Sequence, residues 1–122
     1  YENAKGQKFL VLNMNPANSN PSVLHHYARS RQYAEQVKWL SSHKLPAYCY
    51  GNPALYMQCK RSSDALAVGL WNLCADIAID PVIELDHNYS EIKFLNCSGT
   101  LDGDKVYLSD IQPYAFAAFE VK

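Results

Sequence analysis

The sequence has no excess of charge of either sign and no long hydrophobic run. Its 122 residues include eleven Lys and Arg against twelve Asp and Glu, for a formal net charge of −1. Proteins that bind nucleic acid or an anionic membrane surface concentrate positive charge, and this chain does not. The longest largely apolar stretch, residues 65–73, is far shorter than the roughly 20 residues that cross a bilayer. We therefore expect neither nucleic acid nor a membrane as a partner.

The sequence also lacks the motifs of common enzyme classes and of metal sites. It contains no G-x-S-x-G, no H-E-x-x-H, no P-loop and no G-x-G-x-x-G. No two of its cysteines form a C-x-x-C pair, which argues against a zinc site. We expect no metal, no cofactor and no catalytic activity for this chain. The enzymatic alternative is a Cys–His pair formed in space, for instance His43 with Cys49.

The four cysteines are predicted to be buried free thiols, with disulfides as the alternative. Cys59, Cys74 and Cys97 lie in or beside apolar runs, where cysteine behaves as a small hydrophobic residue. Free thiols are typical of reducing compartments. We therefore expect a cytoplasmic location.

The hydrophobic content, 48% of 122 residues, is enough for one domain with its own core. Residues 1–46 are predicted to form a strand, a loop and a helix. The strand is the apolar run within 8–14, which we expect to be buried. The helix is predicted to start at Asn20 and Pro21, a cap followed by proline at the first helical position. It should continue over 22–41 with an apolar stripe that packs on a sheet.

After residue 46 the pattern changes to short β-rich runs about ten residues apart, as is typical of an antiparallel sandwich. The run 65–73 is apolar on both parities, which predicts a central strand covered on both sides with Trp71 in the core. Asp102-Gly103 is a hairpin signal. Strands are predicted near 47–50, 55–60, 65–73, 81–86, 91–97, up to Leu101, 105–108 and 114–121. The fold class is therefore mainly β with one α-helix: an antiparallel β-sandwich of seven to eight short strands with the helix packed on it.

Acidic side chains cluster in two places, and both clusters are predicted to be structural. Glu84, Asp86 and Glu91 lie around one turn, and paired carboxylates are the usual catalysts of glycoside hydrolysis. Their alternation with apolar residues is typical of the solvated face of an edge hairpin instead. Asp102 and Asp104 fit turn chemistry rather than a calcium-binding loop.

Aromatic side chains are the remaining candidates for binding. Tyr48, Tyr50 and Tyr56 lie close together in sequence, around the Gly-Asn-Pro segment 51–53. Such rings stack on the apolar faces of sugars, so these three tyrosines are the candidate sugar-binding residues. Packing in the core or at an interface is the alternative. Trp39 lies off the apolar stripe of the helix and is the candidate contact with another domain.

Two segments resemble parts of a known class of domain. They are Leu66-Ala-Val-Gly-Leu-Trp-Asn72 and the closing Leu108-Ser-Asp-Ile-Gln-Pro-Tyr-Ala-Phe-Ala-Ala-Phe-Glu-Val121. They look like strands of the C-terminal β-sandwich domains that follow the catalytic barrels of many bacterial glycoside hydrolases. The resemblance covers residues 55–122 and consists of strand and turn patterns. Ala115 departs from it, since such closing strands often have glycine there.

A second likeness concerns the helical segment. Residues 24–48 are similar to a stretch that precedes this sandwich in bacterial proteins related to β-galactosidases. Together the likenesses imply a non-catalytic accessory domain that contacts the catalytic domain of its parent chain or a neighbouring subunit. The catalytic carboxylates of such enzymes lie in the barrel, so no catalytic residue carries over.

The first residue is Tyr1 rather than methionine, and we expect the chain to be a fragment of a larger protein. The alternative function is a carbohydrate-binding module that uses surface tyrosines. The sequence does not decide whether the chain forms a homo-oligomer.

Overall fold

The computed structural model describes residues 1–12, 26–42, 45–52 and 54–122. The chain divides into two compact units, Tyr1–Leu45 and Pro46–Lys122. Their boundary lies close to the predicted change of pattern after residue 46. The expectation of a single domain stays a prediction.

The first unit contains the helix α1, Tyr27–Ser41. Its N-cap is His26, whose Nδ1 accepts a hydrogen bond from the Ala28 N–H at 3.3 Å. The helix ends at Ser42, which adopts a left-handed conformation (φ 56°), and the Ser42 N–H donates to the Trp39 carbonyl. The helix is therefore shorter than the predicted 22–41, and the predicted cap at residues 20–21 lies outside the described residues.

The predicted stripe of α1 is largely exposed. Ala34 is buried, but Val37 and Leu40 are 46% and 38% exposed. The packing of this helix on a sheet stays a prediction.

The apolar run near the N-terminus does not form the expected buried strand. Residues 9–12 have no strand structure, and Val11 is 85% exposed. The backbone here makes one isolated antiparallel bridge, between Glu2 and Lys8, and the ring of Tyr1 stacks on Phe9. A buried strand needs a continuous ladder to satisfy its polar groups, and the described part of this unit supplies a single bridge. Positions 13 and 14 lie outside the described residues.

The second unit is a two-sheet antiparallel β-sandwich, as predicted. Sheet I has the strand order β1-β4-β7-β6, and sheet II has the order β2-β3-β8-β5. The strands are β1 Ala47–Tyr50, β2 Leu55–Arg61, β3 Leu66–Asn72, β4 Val82–Leu85, β5 Ile92–Leu95, β6 Gly99–Asp102, β7 Lys105–Leu108 and β8 Phe116–Val121. The hairpin between β6 and β7 turns at Gly103 (φ 61°), as the Asp-Gly signal indicated.

The core lies between the two sheets and is built from alternate residues of each strand. In β3 these are Leu66, Val68 and Leu70, which are at most 1% exposed. From β4 and β7 come Ile83 and Val106, and from β8 Phe119. Each sheet therefore buries one face and leaves the other outward.

Three sequence expectations about the strands are wrong. β3 is not covered on both sides, because Ala67 is exposed and Trp71 is half-buried on the outward face; Trp71 is thus outside the buried core. Asp86 and Glu91 do not flank an edge hairpin, since β4 is an inner strand of sheet I and β5 an edge of sheet II. Tyr114 does not belong to the closing strand, which begins at Phe116.

Candidate functional site

Asn72 is the one buried polar residue of the core among the described residues, and it organises one end of the sandwich. Its Nδ2 lies 2.8 Å from the carbonyl oxygen of Asp76, 3.1 Å from that of Ile111 and 3.2 Å from that of Gln112. Its Oδ1 accepts a hydrogen bond from the Cys74 N–H at 3.1 Å. A single amide thereby satisfies backbone groups of two connections, β3–β4 and β7–β8.

A backbone bridge joins the same two connections. The N–H groups of Ala78 and Ile111 each donate to the other residue's carbonyl at 3.0 Å. The Asp80 N–H donates to Oδ1 of Asp110, also at 3.0 Å. Both Ala78 and Ile111 are buried. These bonds hold the two connections in one fixed arrangement.

Four large apolar side chains project from this rigid frame, and we call them the apolar end. Tyr114 is 75% exposed, Ile79 66%, Leu73 63% and Ile77 46%. Burial of a large apolar side chain stabilises a protein by about 1.5–3 kcal/mol. A partner that covered these four exposed side chains would therefore gain free energy of binding from their burial. Exposed apolar groups of this kind mark interaction surfaces.

The apolar end carries negative charge only. Residues 73–81 and 109–115 include Asp76, Asp80 and Asp110 and contain no Lys or Arg, and all three aspartates are exposed. An anionic lipid surface would repel this end. The charge fits a partner that surrounds an apolar surface with Lys or Arg.

Backbone strain is also concentrated here. Tyr114 (φ 58°) and Asp80 (φ 41°) are two of the four non-glycine residues with positive φ among the described residues. A bulky residue in this region costs free energy and persists only where its surroundings hold it. Such strain is typical of functional loops.

The apolar end was not among the sites predicted from the sequence. The signal was the alternation in 77–80, Ile-Ala-Ile-Asp, in which the small Ala78 is buried and the large Ile77 and Ile79 are exposed. Alternation shows that two faces differ, but the tertiary contacts decide which face is inside. Here the backbone bridge between Ala78 and Ile111 fixes Ala78 on the buried side.

The structure does not bring the three predicted tyrosines together. Tyr48 lies on β1 of sheet I, opposite Glu84 of β4, and alternates with the buried Ala47. Tyr56 lies on β2 of sheet II and is 51% exposed. The two rings therefore belong to the outer faces of different sheets. Tyr50 lies on β1, and its side chain is outside the described part of the structure.

Tyr56 instead has aromatic neighbours on sheet II. The ring centroids of Tyr56 and Trp71 are 5.8 Å apart, and those of Trp71 and Phe116 are 4.8 Å apart. These residues are far apart in the sequence, so the row of rings could not be predicted from it. The register of β2, β3 and β8 brings the rings together.

Trp39 is 38% exposed on α1, as predicted. The Lys8 ammonium lies 5.5 Å from the centre of its ring, and Lys8 Nζ also donates to the Trp39 carbonyl at 2.8 Å and to Ser42 Oγ. The proposed contact of Trp39 with another domain stays a prediction.

A polar cluster lies where Arg61 at the end of β2 meets the β4–β5 connection. Arg61 pairs with Asp86 at 2.6 Å, and the Tyr89 hydroxyl donates to the same carboxylate at 3.1 Å. Burial, and then the Asp86 charge, raise the pKa of Tyr89. His87 Nδ1 lies 3.0 Å from Asp86, and its ring centroid is 4.1 Å from that of Tyr89. The cluster borders a groove of about 360 Å³, and its charges are mutually paired.

All four cysteines are free thiols. They are less buried than expected, because Cys59 is exposed and the other three are half-buried. Burial raises the pKa of Cys49 to about 11, which suppresses the nucleophilic thiolate at neutral pH. His43, the partner in the enzymatic alternative, lies outside the described residues.

Within the described ranges, no group of three His, Cys, Asp or Glu side chains could hold a metal ion. No helix in these same ranges is long and apolar enough to cross a membrane. Comparison with family models, with curated proteins and with solved structures found no match to the chain.

Proposed function

We propose that this chain is a non-catalytic accessory domain of a glycoside hydrolase and contacts the catalytic domain of its parent chain through the apolar end. The observation that carries the proposal is the rigid display of Leu73, Ile77, Ile79 and Tyr114 by two connections that Asn72 ties together. The resemblance of residues 55–122 to C-terminal sandwich domains supports the choice of partner.

The energetics favour a stable contact. A preorganised surface loses little conformational entropy on binding, so more of the burial energy appears as affinity. The two connections carry four exposed apolar residues together with the exposed carboxylates of Asp76, Asp80 and Asp110, and protein interfaces combine apolar and polar groups.

Hydrogen–deuterium exchange of the parent protein and of the isolated 122-residue chain tests the proposal. In the parent, peptides covering 73–81 and 109–115 should exchange more slowly than in the isolated chain, because a partner covers them. The β6–β7 hairpin, residues 99–108, should exchange equally in both and serves as the internal control.

A matched pair of variants makes the test specific. Ile79→Asp should abolish the added protection in the parent, whereas Leu95→Asp, at a residue 58% exposed on β5, should preserve it. Equal exchange in the parent and the isolated chain would overturn the proposed contact. Turnover of an aryl glycoside by the isolated chain would overturn the non-catalytic role.

A further inference from the structure

Sheet II has one long free edge, the strand β2. The order β2-β3-β8-β5 leaves β2 and β5 at its margins, and sheet I ends on β1 and β6. β2 has seven residues, whereas β1, β5 and β6 have four each. Proteins protect the edges of sheets by keeping edge strands short or by placing proline or a bulge in them. β2 contains no proline, and it has no bulge because it pairs residue for residue with β3 over its whole length.

Two hydrogen bonds at the ends of β3 fix which backbone groups of β2 point away from the sheet. The Ser62 N–H donates to the Ala65 carbonyl at 2.9 Å, and the Asn72 N–H donates to the Ala115 carbonyl at 3.0 Å. Both bonds lie in register with the adjoining ladders. Hydrogen-bonded pairs alternate along an antiparallel ladder, and counting from either bond gives the same result. The residues of β2 whose N–H and C=O groups point outward are Leu55, Met57, Cys59 and Arg61.

Most of these outward groups are open to a further strand. Cys59 and Arg61 are exposed and Met57 is half-buried. Among the residues that the structure describes, none makes a backbone hydrogen bond to the outward groups of these three. The Leu55 N–H donates to the Asn52 carbonyl at 3.1 Å, so Leu55 offers only its C=O. Alternating donors and acceptors of this kind are satisfied by another extended backbone.

We propose that β2 pairs with β2 of a second copy of the chain, antiparallel and about a two-fold axis beside Gln58. In this register Met57 is opposite the partner's Cys59, and Leu55 is opposite the partner's Arg61. Outward groups then meet outward groups at every hydrogen-bonded pair, and all residues of both strands are paired. A shift by one residue would place outward groups opposite groups that already bond to β3, and the ladder would be lost.

The side chains on the outer face of β2 fit the same register. Tyr56 lies opposite the partner's Lys60 in a non-hydrogen-bonded pair, where Cα atoms are about 4.5 Å apart. An ammonium group beside an aromatic ring is favourable, and the two-fold axis creates this pair twice. A register centred on Lys60 would set two ammonium groups against each other. A register centred on Met57 or Cys59 would separate Tyr56 from the partner's Lys60.

Gln58 pairs with itself across the axis. Its Nε2 donates to the Tyr56 hydroxyl at 2.9 Å, and an amide has a second N–H and a carbonyl oxygen left for another amide. The backbone alone would accept an extended segment of any protein, but the match of β2 with itself favours a second copy. This contact uses none of the residues of the apolar end, so its failure and the failure of the proposed contact with a catalytic domain are separate results.

Sedimentation equilibrium of the 122-residue chain and of two variants at Cys59 tests the pairing. We expect a reversible dimer with a Kd on the order of 100 μM or tighter, since a contact between two strands is small. Cys59→Pro removes an outward N–H, which an edge strand tolerates. It should weaken the dimer about tenfold or more, because each copy loses one hydrogen bond. Cys59→Ala keeps the N–H and is the matched control, so it should dimerise like the parent sequence.

Disulfide cross-linking locates the axis. In a Cys59→Ala background, Gln58→Cys places two thiols opposite each other in a non-hydrogen-bonded pair, at a spacing that a disulfide can bridge. Oxidation should convert this variant to a covalent dimer on a non-reducing gel. Lys93→Cys in the same background is the matched control, because Lys93 is exposed on β5, the other edge of sheet II. It should remain largely monomeric.

Three results would overturn the pairing. The first is a chain that stays monomeric up to about 1 mM, well above the expected Kd. The second is a Cys59→Pro variant that dimerises as tightly as Cys59→Ala. The third is cross-linking of Lys93→Cys as fast as that of Gln58→Cys. Should Cys59→Pro fail to fold, the comparison of the two cross-linking variants decides.

Discussion

The side-chain nitrogen of Asn72 lies 3.1 Å from the backbone oxygen of Ile111, which joins two positions that are 39 residues apart in the chain. Asn72 is 1% exposed, and its amide makes its bonds in a region of low dielectric constant. Buried polar groups of this kind add little to the free energy of unfolding while they are paired. They destabilise the protein strongly when a partner is lost. Asn72 is therefore a critical residue for the two connections that display the apolar end.

Asn72→Ala should lower the free energy of unfolding by about 3 kcal/mol, because it removes a buried amide that bonds to three carbonyl groups and to the Cys74 N–H. Exchange at the amides of Ala78 and Ile111 should accelerate more than exchange in the hairpin 99–108. Urea denaturation and native-state hydrogen exchange measure the two effects.

Asn88→Ala is the matched control, since Asn88 is exposed, and its stability should change by less than about 0.5 kcal/mol. Equal stability losses in Asn72→Ala and Asn88→Ala would show that the buried amide does not organise this end.

Gly99→Ala should lower the free energy of unfolding by about 2–3 kcal/mol. Gly99 lies on β6 opposite Leu108, and a Cβ atom there would overlap the backbone oxygen of Tyr107. A backbone atom within a ladder cannot move aside as a side chain can, so the β6–β7 pairing must open. The urea midpoint should fall with the m-value unchanged, whereas Thr100→Ala, at the exposed next residue, should leave it nearly constant.

The Arg61–Asp86 pair should show a coupling energy of about 0.5–1 kcal/mol in a double-mutant cycle of Arg61→Met and Asp86→Asn. The pair is short, at 2.6 Å, but the Arg61 side chain is 44% exposed, so solvent screens much of its Coulomb energy. Unfolding in low and in 1 M salt measures the coupling, which should shrink at high salt.

Lys122 and Glu120 provide the comparison. Their charged atoms are 3.7 Å apart and both side chains are 43% exposed, so a cycle of Lys122→Met and Glu120→Gln should give a coupling near zero. A larger coupling there than at Arg61–Asp86 would contradict the view that burial of Asp86 strengthens its pair.

The sequence predicted the strands well because each one carries a local signal. The alternation over 82–86 places Ile83 and Leu85 in the core, and the Asp-Gly dipeptide marks the hairpin at Gly103. Both signals depend on nearest neighbours, which the sequence contains in full.

Local signals were not sufficient to decide which of the adjacent residues Trp71 and Asn72 lies in the core. Hydrophobicity favours Trp71 for the core, but parity with Leu70 and Leu66 puts Asn72 inside and Trp71 outside. Asn72 is tolerated there because partners about 40 residues away satisfy its amide. Those partners are brought near only by the tertiary fold, and so are the rings that surround Trp71. The candidate sites depend on such distant pairings, whereas the strands do not.

The stability of the protein should fall as the pH rises from about 9 to about 11, partly through Cys49. Burial raises the pKa of Cys49 in the folded chain to about 11, whereas an unfolded thiol titrates near 8.5–9. Below pH 8.5 the thiol is protonated in both states, and its contribution to stability is complete. Above pH 8.5 the unfolded state releases the proton first, which lowers the free energy of the unfolded state and so reduces stability. Between pH 8 and 11 the stability advantage of the parent sequence over Cys49→Ala should therefore decrease by about 2 kcal/mol, as urea unfolding at several pH values measures. In the folded protein iodoacetamide should modify the exposed Cys59 before Cys49. A constant stability difference across this range, with equal labelling rates at the two thiols, would contradict the burial of the Cys49 sulfur.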